Sequence, residues 1–137
     1  MRFHDEKGTA MVEFSLVLPL LAVILFGIIE FGLLLYNKQV ITNASREGAR
    51  AGIVAQMPRL NLSDIQQVVN DYSASHLITF GTATAAVTSI DNSGGTAFGD
   101  DLTVTVSYQY DFLVLPNFIA SLVGGVNLRA ETVMRYE

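Results

Sequence analysis

Sixteen consecutive residues, Phe14 to Ile29, read FSLVLPLLAVILFGII and carry no charge. Glu30 interrupts the run, and FGLLLY then continues it to Tyr36. With Thr9 to Val12 added, the apolar region spans about 28 residues. As a helix rising 1.5 Å per residue this is about 42 Å long, more than the roughly 30 Å needed to cross a bilayer core. A core helix of a soluble domain is rarely so long and so uniformly apolar. The run therefore predicts a membrane-spanning helix over residues 9–36.

A secretory signal peptide is the main competitor. Its apolar stretch is about 7–15 residues and ends at a small-residue cleavage site. The run here is longer, no Ala-x-Ala site follows Tyr36, and the chain beyond keeps a helical period. A retained anchor fits better. Charge is unevenly placed along the chain: it sums to 0 over residues 1–8, to -2 over 9–36, to +3 over 37–60 and to -6 over 61–137, giving -5 in all. The roughly 100 residues after Tyr36 are long enough to cross whatever their charge. An N-terminus inside and a C-terminal domain outside is the favoured orientation.

Two acids and a proline stand out in this helix. A carboxylate near a bilayer centre costs about 3 kcal/mol on insertion scales, so each acid needs a reason. Glu30 sits towards the outer interface, within reach of Asn37 or Lys38 two turns on, and is a candidate packing residue. Glu13 lies near the inner interface. Composition leaves two readings of it open: a carboxylate favoured by about 0.3–1 kcal/mol at a helix start, or a residue with a specific role. Pro19 cannot donate to the Ser15 carbonyl and is expected to kink or locally open the helix.

From Asn37 to Met57 the helical period persists. Ile41, Ala44, Gly48, Ala51 and Ala55 fall on one face, and Arg46 and Arg50 on the other. Ala44, Gly48 and Gly52 form a stripe at four-residue spacing, which allows close approach of another backbone. A sheet or second helix packed on that stripe is the plain reading; a copy of the same helix in an assembly is the other. An unbroken helix from Thr9 to Gln56 would hold 48 residues, with Pro58 ending it.

Ser63 to His76 reads as a second helix, with Ser63 and Gln66 as its capping box. Ile65, Val68, Val69 and Tyr72 make its apolar face, and His76 reads as a capping or surface histidine. Beyond Thr82 the period becomes two. ATAAVTSI is a moderate strand, and DNSGGTAFGDD an acidic, Gly-rich loop. In LTVTVSYQYDF, Leu102, Val104, Val106, Tyr108 and Tyr110 share one face, the pattern of a half-buried antiparallel strand. LPNFIASLVGG reads as a turn or short helix, and VNLRAETVMRY as a last strand with Leu128, Ala130, Thr132 and Met134 on one side. The expected fold class is α+β: a long N-terminal membrane-spanning helix running on into a small head, residues 37–137, with a second helix and an antiparallel sheet of about three strands.

Chemistry-bearing patterns are scarce. The chain has two histidines, His4 and His76, and no cysteine, so disulfides and thiolate metal sites are excluded. There is no H-E-x-x-H, no G-x-S-x-G, no phosphate-binding loop and no dinucleotide fingerprint. The acids between Asp91 and Asp101 lack the spacing and closing Glu of an EF-hand and read as a solvated turn. The acidic balance, without a basic stripe, argues against nucleic acid as a partner. Neither an enzyme nor a cofactor or metal protein is expected.

The N-terminal residues GTAMVEF resemble the processing motif of type IV prepilins: a short polar leader ending in Gly8, then an apolar helix with Glu at its fifth position, Glu13. More closely, GTAMVEFSLVLPLL, FGIIEFG and ASREGARAG, from Gly8 to about Gly52, look like a TadE-like protein, the minor pilin or pseudopilin class of tight-adherence (Flp) systems. The resemblance implies a type IV pilin-like fold, a leader over residues 1–8, and cleavage between Gly8 and Thr9 by a membrane prepilin peptidase. It also implies partners: the bacterial inner membrane, other pilin subunits and the pilus assembly platform. Glu13 would then pair with the Thr9 α-amine of a neighbouring subunit and set the axial register. Major Flp pilins tend to be far shorter, almost without a head, so the head favours a minor subunit. A main filament subunit and an unprocessed membrane-anchored binding module are the alternatives.

Overall fold

The computed structural model describes residues 3–55, 58–80, 85–113 and 124–137, with side chains from Gly8 onwards. Its elements run α1 (Phe3–Ile53), α2 (Leu62–His76), β1 (Val87–Asp91), β2 (Asp101–Tyr110) and β3 (Val126–Arg135). This is the α+β layout expected: one long apolar helix, a second helix and a three-stranded antiparallel sheet.

Helix α1 has 51 residues, a length of about 76 Å. It is helical on both sides of Pro19. It ends at Ile53, three residues short of the expected Gln56. Gly52 is the last buried position, Val54 and Ala55 are exposed, and Gln56 itself lies outside the described residues. A helix is held mostly by its buried face, and that face stops there.

The start of α2 also differs from expectation. Its cap is Asn61, not Ser63. The Asn61 side chain accepts from the Asp64 amide at 2.9 Å, and Asp64 Oδ2 accepts from the Asn61 amide at 3.2 Å. Ser63 instead donates its hydroxyl to Asn61 Oδ1. Asn is at least as good a cap as Ser, and Asp64 closes the box reciprocally two residues upstream of the expected pair. Ile65, Val69 and Ser73 are the buried residues of α2. Val68 and Tyr72 of the expected face are half-buried. His76 is exposed, its ring stacked on Tyr72 at 4.3 Å between centroids.

The sheet is ordered β1-β2-β3, antiparallel throughout. Register runs Val87↔Ser107 to Asp91↔Thr103 on one side of β2, and Asp101↔Arg135 to Tyr110↔Val126 on the other. All five inward residues of β2 read from the alternation (Leu102, Val104, Val106, Tyr108 and Tyr110) are buried. Leu128 and Ala130 of β3 join them, with Ile41, Ala44 and Ala49 of α1 and Ile65 and Val69 of α2. The expected turn or short helix LPNFIASLVGG lies mostly outside the described residues, as do the first residues of ATAAVTSI; strand β1 starts at Val87.

Strand β2 runs antiparallel to α1. Its first turn, at Leu102, packs near Gly52, and its last residue, Tyr110, reaches Glu30. The head thus flanks α1 from Glu30 to Gly52, which is about 33 Å of helix. From Gly8 to Ile29 every residue is exposed except the half-buried Ala22.

Candidate functional site

At the N-terminal end, Gly8, Thr9, Val12 and Glu13 line one shallow notch on α1. Thr9 and Glu13 are one turn apart, and residues at that spacing share a helix face. A Cβ built at Gly8 would meet no described atom within 4 Å, so the helix is open on that side of Gly8.

Glu30 is the first residue covered by the head, and it is 4% exposed. Its Oε1 accepts from the Tyr110 hydroxyl at 2.6 Å and from the Leu113 amide at 3.0 Å. A desolvated carboxylate is tolerable only when such donors replace its water. The partners expected from the sequence are engaged elsewhere. Asn37, fully buried, donates from Nδ2 to the Ile78 carbonyl at 2.7 Å and accepts at Oδ1 from the Ile78 amide at 3.0 Å. Lys38 donates to the Arg129 carbonyl. Burial, and next the hydrogen bond to Glu30, push the Tyr110 pKa well above its ordinary value.

The same face continues with Ser45, whose hydroxyl lies 2.7 Å from that of Thr132 on β3 and 2.8 Å from the Thr42 carbonyl. Glu30, Asn37 and Ser45 are spaced by seven and eight residues, about two turns each. Every second turn of the covered helix therefore fastens a different part of the head: the end of β2, the chain after α2, and β3.

Above Ser45 the fastening changes character. Ala44 and Ala49 are fully buried. A Cβ at Gly48 would overlap the Val69 side chain, and one at Gly52 those of Leu102 and Ile65. The small stripe faces α2 and β2 of its own chain.

At the other end of the sheet, the acids of the β1–β2 loop serve the turn itself. Asp91 Oδ1 accepts from the Ser93 amide at 2.9 Å, which holds its carboxyl below the usual value. Asp100 Oδ2 accepts from the Ala97 amide at 2.8 Å, and Asp101 pairs with Arg135 at 3.0 Å on the surface. Among the described residues, no cluster of three or more His, Asp or Glu is placed to hold a metal ion.

Sequence reasoning found Glu30 but not its partners, because Tyr110 and Leu113 lie 80 and 83 residues away. One signal pointed there. A tyrosine on the inward face of a strand needs a partner for its hydroxyl.

With this geometry in view, the comparisons with known proteins fall on one element. Residues 8–50 match the model of the family described as TadE-like protein. The match runs from the notch at Gly8 through the covered face of α1, so over that stretch the chain is similar to TadE-like proteins, as its N-terminal residues implied. No curated protein and no solved structure matches the chain.

Proposed function

We propose that the chain is a minor pilin or pseudopilin, a membrane-anchored structural component for assembling a tight-adherence (Flp-type) pilus used in adhesion or secretion. The observation that carries this reading is the division of α1 at Glu30. Thr9 to Ile29 is 21 residues, about 31 Å of bare apolar helix, close to one bilayer core. Its most apolar window has a mean hydropathy of 2.6 and is wholly unburied. We accordingly place the membrane-embedded part at residues 9–29 rather than 9–36, with the head beginning at Glu30.

In this reading the chain sits in the bacterial inner membrane as a single pass, head outside. Prepilin peptidase cuts between Gly8 and Thr9, and the subunit enters or primes the filament with other pilins at the assembly platform. The new Thr9 amine is positive at neutral pH, its reference pKa being about 7.7–8.0. Glu13 is the single charged side chain among residues 9–29. An unpaired carboxylate among packed apolar helices is penalised, so pairing with a neighbour's amine selects the register in which subunits stack. Pro19 supplies a bend point between Glu13 and the head. The protein's role is structural, not catalytic.

Mass spectrometry of the mature protein tests the first step. Thr9 at the N-terminus is the expected result; an intact Met1 in cells holding the peptidase instead favours an unprocessed membrane-anchored module. Co-assembly tests the second. Glu13→Gln should be processed yet enter filaments poorly, and entry at the wild-type level sinks the register role.

A further inference from the structure

The head meets the bare helix at an apolar notch. It is open, about 190 Å³, and lined by Gly27, Glu30, Phe31, Leu34 and Phe112. Among the described residues lining it, Glu30 is the one charged member, and its Oε1 is turned into the head, held by Tyr110 and Leu113. What the notch shows outward is two aromatic rings, a leucine and a glycine. Beside it Leu113 is 49% exposed. Phe31 is also exposed, two residues past the end of the bare stretch at Ile29.

The sequence that follows Asp111 is uncharged for a long way. No Asp, Glu, Lys or Arg occurs between Asp111 and Arg129. Both described ends of the β2–β3 connection lie at this end of the sheet, because Tyr110 pairs with Val126. The opposite end of the sheet is different in kind: Asp91, Asp100 and Asp101 gather there. At the notch end the exposed residues are apolar and continuous with the membrane helix, with the half-buried Asp111 beside Phe112; the other end carries three aspartates, one of them paired with Arg135, and is remote from it.

We propose that the Glu30 end of the head is itself a membrane-contact surface, seated on the bilayer with lipid acyl chains filling the notch between Phe31, Leu34 and Phe112. The inference rests on the membrane reading of residues 9–29. Its physical basis is continuity. If the bilayer surface lies where the bare helix ends, Phe112 and Leu113 sit at the headgroup–acyl boundary, where exposed Phe and Leu side chains of a surface-seated protein bury themselves. Apolar surface left there in water is unfavourable in proportion to its area. The Glu30 clamp fixes the backbone of Leu113 to α1, so the head cannot tilt away from the lipid without breaking it. The contact gives the stored subunit a defined head orientation that a flexible link to a single helix would not.

The absence of cysteine makes the test direct. Single cysteines at Leu113, Ile24 and Phe98 are labelled with an environment-sensitive fluorophore, one per full-length chain, in phosphatidylcholine–phosphatidylglycerol vesicles. Emission is then quenched with lipids brominated at shallow or deep acyl positions, or with aqueous iodide. Ile24 lies within the bare helix, five residues or about 7.5 Å before Ile29, and Phe98, 86% exposed, sits in the β1–β2 loop. The expected result is loss of emission at 24 with deep bromines, at 113 with shallow bromines, and at 98 with iodide alone. Quenching by bromolipid at 24 but not at 113 overturns the head contact while leaving the anchor intact. No bromolipid quenching at 24 overturns the anchor reading itself. A label at 113 shielded from iodide yet insensitive to bromolipid overturns the lipid assignment in favour of a neighbouring copy covering the notch.

Discussion

Thr9 to Ile29 and Glu30 to Ile53 are two stretches of one helix, and both carry the same kinds of residue. Each holds a glutamate, at least one glycine and at least one serine. In the first stretch these side chains face outwards from the chain. In the second, Glu30, Ser45, Gly48 and Gly52 are covered by a strand or helix of the same chain, while Gly32 and Glu47 stay exposed. The same residue type is therefore left exposed on one side of Glu30 and, at the covered positions, is a structural fastening on the other. Matched substitutions on the two sides separate these roles, because only the second set should register in the folding of the head.

The largest contrast is between the glutamates. Glu30→Ala removes the acceptor for the Tyr110 hydroxyl and the Leu113 amide and leaves buried donors unpaired. Hydrogen bonds to a charged group are worth about 1.5–3 kcal/mol each, and the two are coupled, so a loss of about 3 kcal/mol is expected. Thermal unfolding in micelles, followed by the near-ultraviolet signal of the buried tyrosines, reads it. Glu30→Gln keeps an oxygen acceptor and should cost about 1 kcal/mol. Glu13→Gln should leave head unfolding unchanged within about 0.5 kcal/mol. Equal effects at positions 13 and 30 would erase the distinction between the two stretches.

The same clamp has an alkaline signature. Burial and Glu30 raise the Tyr110 pKa above its ordinary 10.0 in the folded state. Its neutral form is then the one the fold favours. That contribution is fully present below about pH 10 and is lost as pH rises through the folded-state value. Tyr108 and Tyr136 are shifted the same way, mainly by burial. Tyr110→Phe should flatten, without abolishing, the fall in stability above pH 10.

The glycines come next. Gly48→Leu forces a side chain into space held by Val69, and overpacking of this kind costs about 1–3 kcal/mol. Gly27→Ala meets nothing within 4 Å and improves helix propensity by about 1 kcal/mol. Head unfolding should weaken in the first variant and hold or improve in the second. Lost head stability in both would mean that the bare stretch packs against the head.

How much of this was legible in the sequence follows from the range of each interaction. The membrane run, the alternation of β2 and the stripe at Ala44, Gly48 and Gly52 are periodic patterns, readable over a few turns or residues. They sufficed for the fold class. The cap of α2 is also local, yet two overlapping boxes compete there. Asn61 with Asp64 prevails over Ser63 with Gln66, a choice that propensity alone does not make. Glu30, Asn37 and Ser45 show as polar residues on a helix, but their partners Tyr110, Ile78 and Thr132 become neighbours only through tertiary packing. Local charge logic offered Lys38 for Glu30 because it was nearest along the chain.

The smallest contrast is also the cleanest, because the two residues are the same. Ser15 and Ser45 each donate a hydroxyl hydrogen bond to the carbonyl three residues back, at 2.7 and 2.8 Å. Only Ser45 is buried, and only Ser45 also touches the Thr132 hydroxyl. The backbone bond is common to both, so any difference between Ser15→Ala and Ser45→Ala reports the tie to β3. That tie is a neutral hydrogen bond, worth about 1 kcal/mol, with Thr132 left unpaired in the variant. Ser15→Ala should leave head unfolding where it was. Ser45→Ala combined with Thr132→Val should recover part of the loss, since removing both partners leaves no orphaned hydroxyl. If the double variant is as weak as the two singles added together, the Ser45–Thr132 contact contributes nothing of its own, and the helix is held at this level by packing alone.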